Sequence, residues 1–233
     1  MTPPASRLPP PGFFITGTDT GVGKTLVACA LLHAFKDAGR RVVGMKPVAA
    51  GAEHSAEGFI NADVRLLRSA SSVDAPLALM NQYCFEPAIA PHIAAEQAGV
   101  IIDLTPIGQA FAQLAAAADV VIVEGVGGFC VPLSRTEDAA DLAQYLALPV
   151  ILVVGLRLGC LNHALLTAQA IHRHGLKLAG WIANRVDPEM TVAEENIAAL
   201  AARLRAPLLG EIEFAVTPDP LRIAAQLDLS KIA

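Results

Sequence analysis

One stretch, FFITGTDTGVGKTLVACALLHAF from Phe13 to Phe35, limits what this chain can fold into more than any other. A short apolar, β-rich run stops at Gly17, crosses a small polar loop, meets Gly23-Lys24-Thr25 and becomes a helical pattern. A strand that runs through a glycine-rich loop into a helix presents backbone N–H groups and the positive end of a helix dipole to an anion. Gly17, Gly21 and Gly23 let the backbone wrap closely. Lys24 supplies charge for β- and γ-phosphates, and Thr25 supplies a hydroxyl for Mg2+. The strict pattern GxxxxGK[ST] is offset here: Thr18 stands where its first glycine belongs and Gly17 comes one residue early, so the loop is a longer variant. A GxGxxG dinucleotide loop has no role for the Lys-Thr pair.

The rest of the chain alternates in the same way. Apolar strands are expected at Phe13–Thr16, Arg41–Lys46, Val120–Glu124, Val150–Val154, Leu178–Asn184 and Leu208–Ile212. Helices are expected at Lys24–Ala38, Ala62–Ser69, Pro106–Ala117, Ala139–Leu146, Asn162–His174 and Ala193–Leu204. Strands apolar on both faces, alternating with helices, imply an α/β fold. Its form is a P-loop NTPase-like, doubly wound, mainly parallel sheet with helices on both faces. Ligands then gather at the carboxyl ends of the strands. The segment Gly51 to Asp103 carries many turn signals and reads as one helix plus irregular pieces lying over the site.

With 233 residues, one domain over 12–233 is expected, preceded by a flexible proline-rich tail, MTPPASRLPPP, over 1–11. Hydrophobic residues make up 54% and charged residues 17%, the reverse of a disordered chain. No apolar run approaches the ~20 residues that span a bilayer, and the N-terminus lacks a signal-peptide core, so no membrane partner and a cytoplasmic location are expected. A net charge of −5 argues against nucleic acid as a partner. Cys29, Cys84, Cys130 and Cys160 show no CxxC spacing and read as small, reduced core residues.

Four further stretches carry chemistry. In VVIVEGVGG, Glu124 ends an apolar strand before Gly125, Val126 and Gly127, which suits a carboxylate completing a Mg2+ site. In VVGMKPVAAG, Lys46 has two readings: stabilising a transferred phosphoryl group, or snorkelling at the surface. Asp63, in FINADVRLL, opens a helix as a cap or as a metal ligand. The helix after Gly159 either offers free N–H groups to an anion or is capped by Asn162. In GWIANRVDP, Asn184, Arg185 and Asp187 fit the N-[KR]-x-D pattern that reads guanine. Asn184 alone equally suits an adenine edge, and Asp187 before Pro188 is a natural turn former.

These pieces in this order resemble the dethiobiotin synthetase family. The matching stretches run from FFITGTDTGVGKT through GMKPVAAG, NAD, APHIAAEQAG, VIVEGVGG, PVILVVGLRLGCLNHALLTAQAI and LAGWIAN to APLLGEI. The resemblance implies a Mg2+- and ATP-dependent ligase that closes a cyclic urea from 7,8-diaminononanoate and CO2 through a carbamate and a carbamic-phosphoric anhydride. It implies Lys24 and Lys46 as catalytic groups and Thr25, Asp63 and Glu124 as metal ligands. Nucleotide contacts are implied from Gly21 to Leu26, by Gly125, Val126 and Gly127, by Asn184 and Arg185, and by Glu213, Phe214 and Ala215. Substrate contacts are implied for Thr20, Lys46 and Ala50. In a homodimer the partner subunit adds Gly159, Cys160, Leu161 and Asn162 around the substrate carboxylate.

Three departures from the family pattern stand out: Ala50 and Ala90 replace hydroxyl residues, and Glu213-Phe214-Ala215 replaces the usual base-pocket residues. One lost hydrogen bond at Ala50 weakens binding by ~0.5–1.5 kcal/mol. Two rival classes fit less well. Partition and septum-site ATPases carry a signature lysine where this chain has Asp19, and a cobyrinate amidase-synthase needs an extra domain with a nucleophilic cysteine.

Overall fold

The computed structural model describes residues 12–55 and 58–232; the expected proline-rich tail lies outside them. Strand β1 (Gly12–Gly17) leads through the glycine-rich loop into helix α1 (Lys24–Asp37). Next come β2 (Val42–Met45), β3 (Val48–Ala50), β4 (Ala52–Ser55), β5 (Gly58–Asn61), α2 (Ala62–Ala70), α3 (Leu77–Met80), β6 (Tyr83–Phe85) and α4 (Pro91–Gln97). The second half alternates regularly: α5 (Leu104–Ala117), β7 (Val120–Glu124), α6 (Ala139–Leu146), β8 (Val150–Leu156), α7 (Cys160–Arg173), β9 (Leu178–Arg185), α8 (Ala193–Ala201), β10 (Leu208–Ile212) and α9 (Pro220–Ala224).

Six strands form the central sheet in the order β10-β9-β8-β1-β7-β2, and every pairing is parallel. The chain leaves β1 for one edge, fills in β7, then returns across β1 to build the other edge. The crevice at that reversal, outside the carboxyl ends of the strands, is where such sheets take ligands. Burial on both faces explains the strand sequences: all seven residues of β8, VILVVGL, are buried, and so are all five of β7, VVIVE. Trp181, Phe14, Ile15 and Leu31 sit fully inside. Each such side chain contributes about 1.5–3 kcal/mol through burial. Gly44 of β2 has a local reason to be glycine: a Cβ there would lie 2.8 Å from Leu67 Cβ. The close approach seats α2 against β2 and brings Asp63, in the first turn of α2, to the sheet edge.

Three expectations need correction. The segment Gly51–Asp103 is more ordered than its turn signals suggest. Strands β4, β5 and β6 and three helices fill it, β4 pairing with β5 and β6 with β3, which precedes the segment. The β3–β6 partners, such as Val48 and Tyr83, are far apart in sequence, and no local pattern announces such pairing. Helix α7 starts at Cys160, not Asn162, because Gly159 adopts the left-handed conformation (φ 97°) that takes the N-cap position; Asn162 is exposed and caps nothing. The cysteines are not uniformly internal either: Cys29 and Cys160 are buried, but Cys84 is half-buried and Cys130 is exposed. Helix bounds shift by small amounts where caps intervene. Helix α5 begins two residues early, at Leu104, since Asp103 accepts a hydrogen bond from Thr105 N and Pro106 fits the first turn.

Candidate active site

At the carboxyl edge of the sheet, β1 delivers the glycine-rich loop, β7 delivers Glu124 and the end of β2 delivers Lys46. Glycine 23 caps α1 at φ 91°, and no side chain caps the helix, so its first N–H groups face the loop interior. Lys24 folds back over the loop, its Nζ donating to Asp19 O at 3.0 Å. Thr25 Oγ1 donates to Glu124 Oε1 at 2.8 Å. Lys46 Nζ lies 2.6 Å from the same Oε1 and 2.8 Å from Asp63 Oδ2. Lys46 is only 5% exposed and Glu124 1%, which rules out the snorkelling lysine. Asp63 does not cap its helix; the Asn61 side chain accepts from Asp63 N and leaves the carboxylate for Lys46.

These groups border a cleft of 690 Å³. Its lining includes Thr20, Gly21, Gly23, Lys24 and Thr25 of the glycine-rich loop, with Lys46, Asp63 and Glu124. The remaining walls include Val126 and Gly127 on one side and Ala50 and Ala90 on the other. Burial depresses the Lys24 ammonium to about 8, with Glu124 resisting the shift and Lys46 reinforcing it. Burial alone would also depress Lys46, but contact with Glu124 and Asp63 outweighs it and holds that ammonium above its ordinary range. For Asp63, burial pushes upward while Lys46, followed by Thr25 and Lys24, pulls further downward, so its carboxylate stays ionised. Two lysines thus share one cleft, and Glu124 and Asp63 favour the charged form of both, against burial and their mutual repulsion.

The same oxygens suit a magnesium ion. Glu124 Oε1 is taken by Thr25 and Lys46, whereas Glu124 Oε2 is buried without a hydrogen-bond partner among the described residues. A buried carboxylate oxygen is costly to leave unpaired. Beside it stand the Thr25 hydroxyl and the Asp63 carboxylate, an all-oxygen set of the kind a hard, octahedral cation takes together with phosphate oxygens.

Comparison with known proteins adds to this geometry. Residues 11–217 match a family model described as an AAA domain. The chain is 58% identical over 220 residues to the ATP-dependent dethiobiotin synthetase BioD of Aromatoleum aromaticum, covering 94% of this chain and 98% of that one. It is 54% identical over 221 residues to the BioD of Nitrosospira multiformis, covering 95% and 96%. The chain belongs to the dethiobiotin synthetase family. Among solved structures it is similar to MinD of Aquifex aeolicus in the MinC:MinD complex, with a TM-score of 0.55, 18% identity and coverage of 88% and 82%. That likeness concerns the fold alone: Asp19 stands at the signature-lysine position, where it accepts Thr20 N and pairs with Arg157.

The remaining positions that the family resemblance implies fall in three places. Val22 and Gly125 are buried, and Leu26 packs its side chain on the core. Burial leaves the Val22 side chain no face for a nucleotide, while that of Leu26 is only partly covered. Among the positions for which the family resemblance implies base contacts, Asn184 is 6% exposed, Arg185 pairs with Glu194 and Glu213, and Phe214 and Ala215 are exposed. Gly159 to Asn162 lie outside the cleft of their own chain. Sequence reasoning missed two asparagines. Asn61 Nδ2 donates to Ala50 O at 3.0 Å and Gly51 O at 3.2 Å, fixing the wall beside the reacting groups. Asn81 Nδ2 donates to Lys46 O at 2.7 Å and pins the lysine's backbone. Asn61 carried a signal, a capping residue one position before a helical run; Asn81 carried none.

Proposed function

We propose that the chain closes 7,8-diaminononanoate into dethiobiotin with CO2 and ATP, in a cytoplasmic homodimer. One amine adds to CO2 and loses a proton, giving a carbamate. A carbamate oxygen attacks the γ-phosphorus as the bond to the β-phosphate oxygen breaks, and ADP leaves. The second amine then attacks the carbonyl carbon of the mixed anhydride, expels phosphate and loses a proton, which closes the urea. No covalent enzyme nucleophile is required; the protein positions the reactants and neutralises charge. Lys24, on the loop, faces the bridging and γ-phosphate oxygens. Lys46, held between Glu124 and Asp63, lies on the opposite side, where carbamate and transferring phosphoryl both carry negative charge. Thr25, Asp63 and Glu124 would hold magnesium, which would supply positive charge to offset that of the phosphates.

The observation that carries this reading is the burial of Lys46 between two carboxylates in the same cleft as a P-loop lysine. A nucleotide switch has no need of that second ammonium. In an assay with oxygen-labelled CO2, the expected product is the cyclic urea, and the label appears in the released phosphate. Unlabelled phosphate alongside the urea would overturn the anhydride. ATP is expected to outperform GTP, since Asp187 is engaged as a turn former, accepting Glu189 N at 3.0 Å.

For the substrate carboxylate, the reading rests on α7. Its N-cap is a glycine, so no side chain takes the N–H groups of its first turn. The neighbouring Leu158 is 97% exposed, so a second copy docking on this face would cover it. A second copy meeting this face brings the helix start to the other cleft. Leu158→Glu is expected to halve the sedimenting mass and raise KM for diaminononanoate more than for ATP. A parent chain that sediments as a single copy while fully active would remove the shared site.

A further inference from the structure

The geometry points to Asn184 as a positioning residue for the phosphate loop: through Val22 it holds the backbone on which Lys24 and Thr25 stand. Four observations converge on this. Val22 is 1% exposed although it lies in a loop. Its side chain fills a socket that only glycines can form. A Cβ on Gly17 would lie 2.5 Å from Val22 Cγ2, and one on Gly155 would lie 2.7 Å from Val22 Cγ1. The socket is closed by Asn184, whose Nδ2 donates to Val22 O at 2.8 Å. The next residue is also touched: a Cβ on Gly23 would sit 2.3 Å from Asn184 Nδ2, so the carboxamide fits only against a glycine at φ 91°.

The loop is therefore anchored by three strands, not one. Gly17 ends β1, Gly155 lies in β8, and Asn184 sits opposite Gly155 in β9. Removing the carboxamide leaves the Val22 carbonyl unpaired in a buried setting and lets the knob rise from its socket. Lys24 and Thr25, one and two residues beyond the clamped segment at Val22-Gly23, move with it. A carboxamide has two N–H donors and one acceptor oxygen. Spending one N–H on Val22 O makes this side chain part of the phosphate cradle, separately from any contact it makes with a base.

The inference rests on reading the loop as a triphosphate cradle, and its test separates the two. Inorganic tripolyphosphate with Mg2+ has no base to read, so its binding reports on the loop alone. In Asn184→Ala the dissociation constant for tripolyphosphate is expected to rise about tenfold, equivalent to about 1.4 kcal/mol, and kcat is expected to fall as KM for ATP rises. Val22→Ala, which empties the socket from the other side, should weaken tripolyphosphate in the same direction. The two changes together should cost less than their sum, because they undo one arrangement. Unchanged tripolyphosphate affinity in a folded Asn184→Ala protein that has lost ATP affinity would make Asn184 a base reader only. Should Asn184→Ala not fold, unchanged affinity in Val22→Ala overturns the clamp. Failure of the unaltered chain to bind tripolyphosphate would instead overturn the cradle itself.

Discussion

Replacing Lys46 with methionine should lower turnover by about 10²–10³-fold, the loss associated with removing one preorganised electrostatic donor, while ATP affinity changes little. Lys46 does not stand on the phosphate loop; it faces that loop from the end of β2. Its Nζ sits 2.6 Å from Glu124 and 2.8 Å from Asp63, so its charge is fixed in place before any substrate arrives. Methionine keeps an unbranched apolar stem of similar reach and lacks the ammonium. The second consequence is on stability. Removing one member of a buried ion pair costs about 3–5 kcal/mol, because the remaining charge is stranded. Glu124 is 1% exposed and would be stranded, while the half-open Asp63 retains some water. The variant should therefore melt earlier, and millimolar Mg2+ should raise its melting temperature more than that of the parent, since a cation again stands between the carboxylates. Near-normal turnover in this variant would take Lys46 out of the chemistry. An equal Mg2+ effect on both proteins would separate it from the carboxylate pair.

How far this arrangement could be read from residues alone depends on how local its causes are. The loop from Gly17 to Thr25 and the tips of β2 and β7 were legible, because an apolar run followed by a charge or a glycine is a local signal. Strands β7 and β10 and helix α6 begin and end where their patterns predict, and an Asp138–Asp141 capping box opens α6. Lys46 was ambiguous because burial is a tertiary property: the same lysine at a strand end is bland until α2 places Asp63 beside it. The stretch from Gly51 to Asp103 failed for a related reason, its strands being too short for alternation to register. Asn184 was read as a base contact because motifs describe ligands, whereas its bond to Val22 exists only once β9 lies beside β8. The start of α7 was misplaced because a left-handed glycine caps as well as an asparagine does, and composition does not say which is used.

Changing Glu124 to glutamine should raise the Mg2+ concentration needed for half-maximal turnover by at least about tenfold, since even outer-shell partners of a metal ligand are worth 10–100-fold. The amide is nearly isosteric, and its geometry is constrained. Thr25 Oγ1 and Lys46 Nζ both donate to Oε1, so the amide oxygen must take that place. The NH2 group then occupies the position of Oε2, the buried oxygen without a partner, and a donor there cannot ligate a cation. A second effect follows from charge. Glu124 is the strongest anion favouring the Lys24 ammonium, which burial has already brought down to about 8. Without that anion the pKa falls further. In the parent, Lys24 is protonated below about pH 8. Above it, the lysine must take up a proton to meet the phosphates, so ATP affinity declines by up to about tenfold per pH unit. In Glu124→Gln the decline should begin at lower pH. Tripolyphosphate binding measured across pH without Mg2+ isolates this effect from metal affinity. A profile that superimposes on the parent's would show that Glu124 does not set the charge of Lys24. An unchanged Mg2+ requirement would show that its free oxygen is not a ligand.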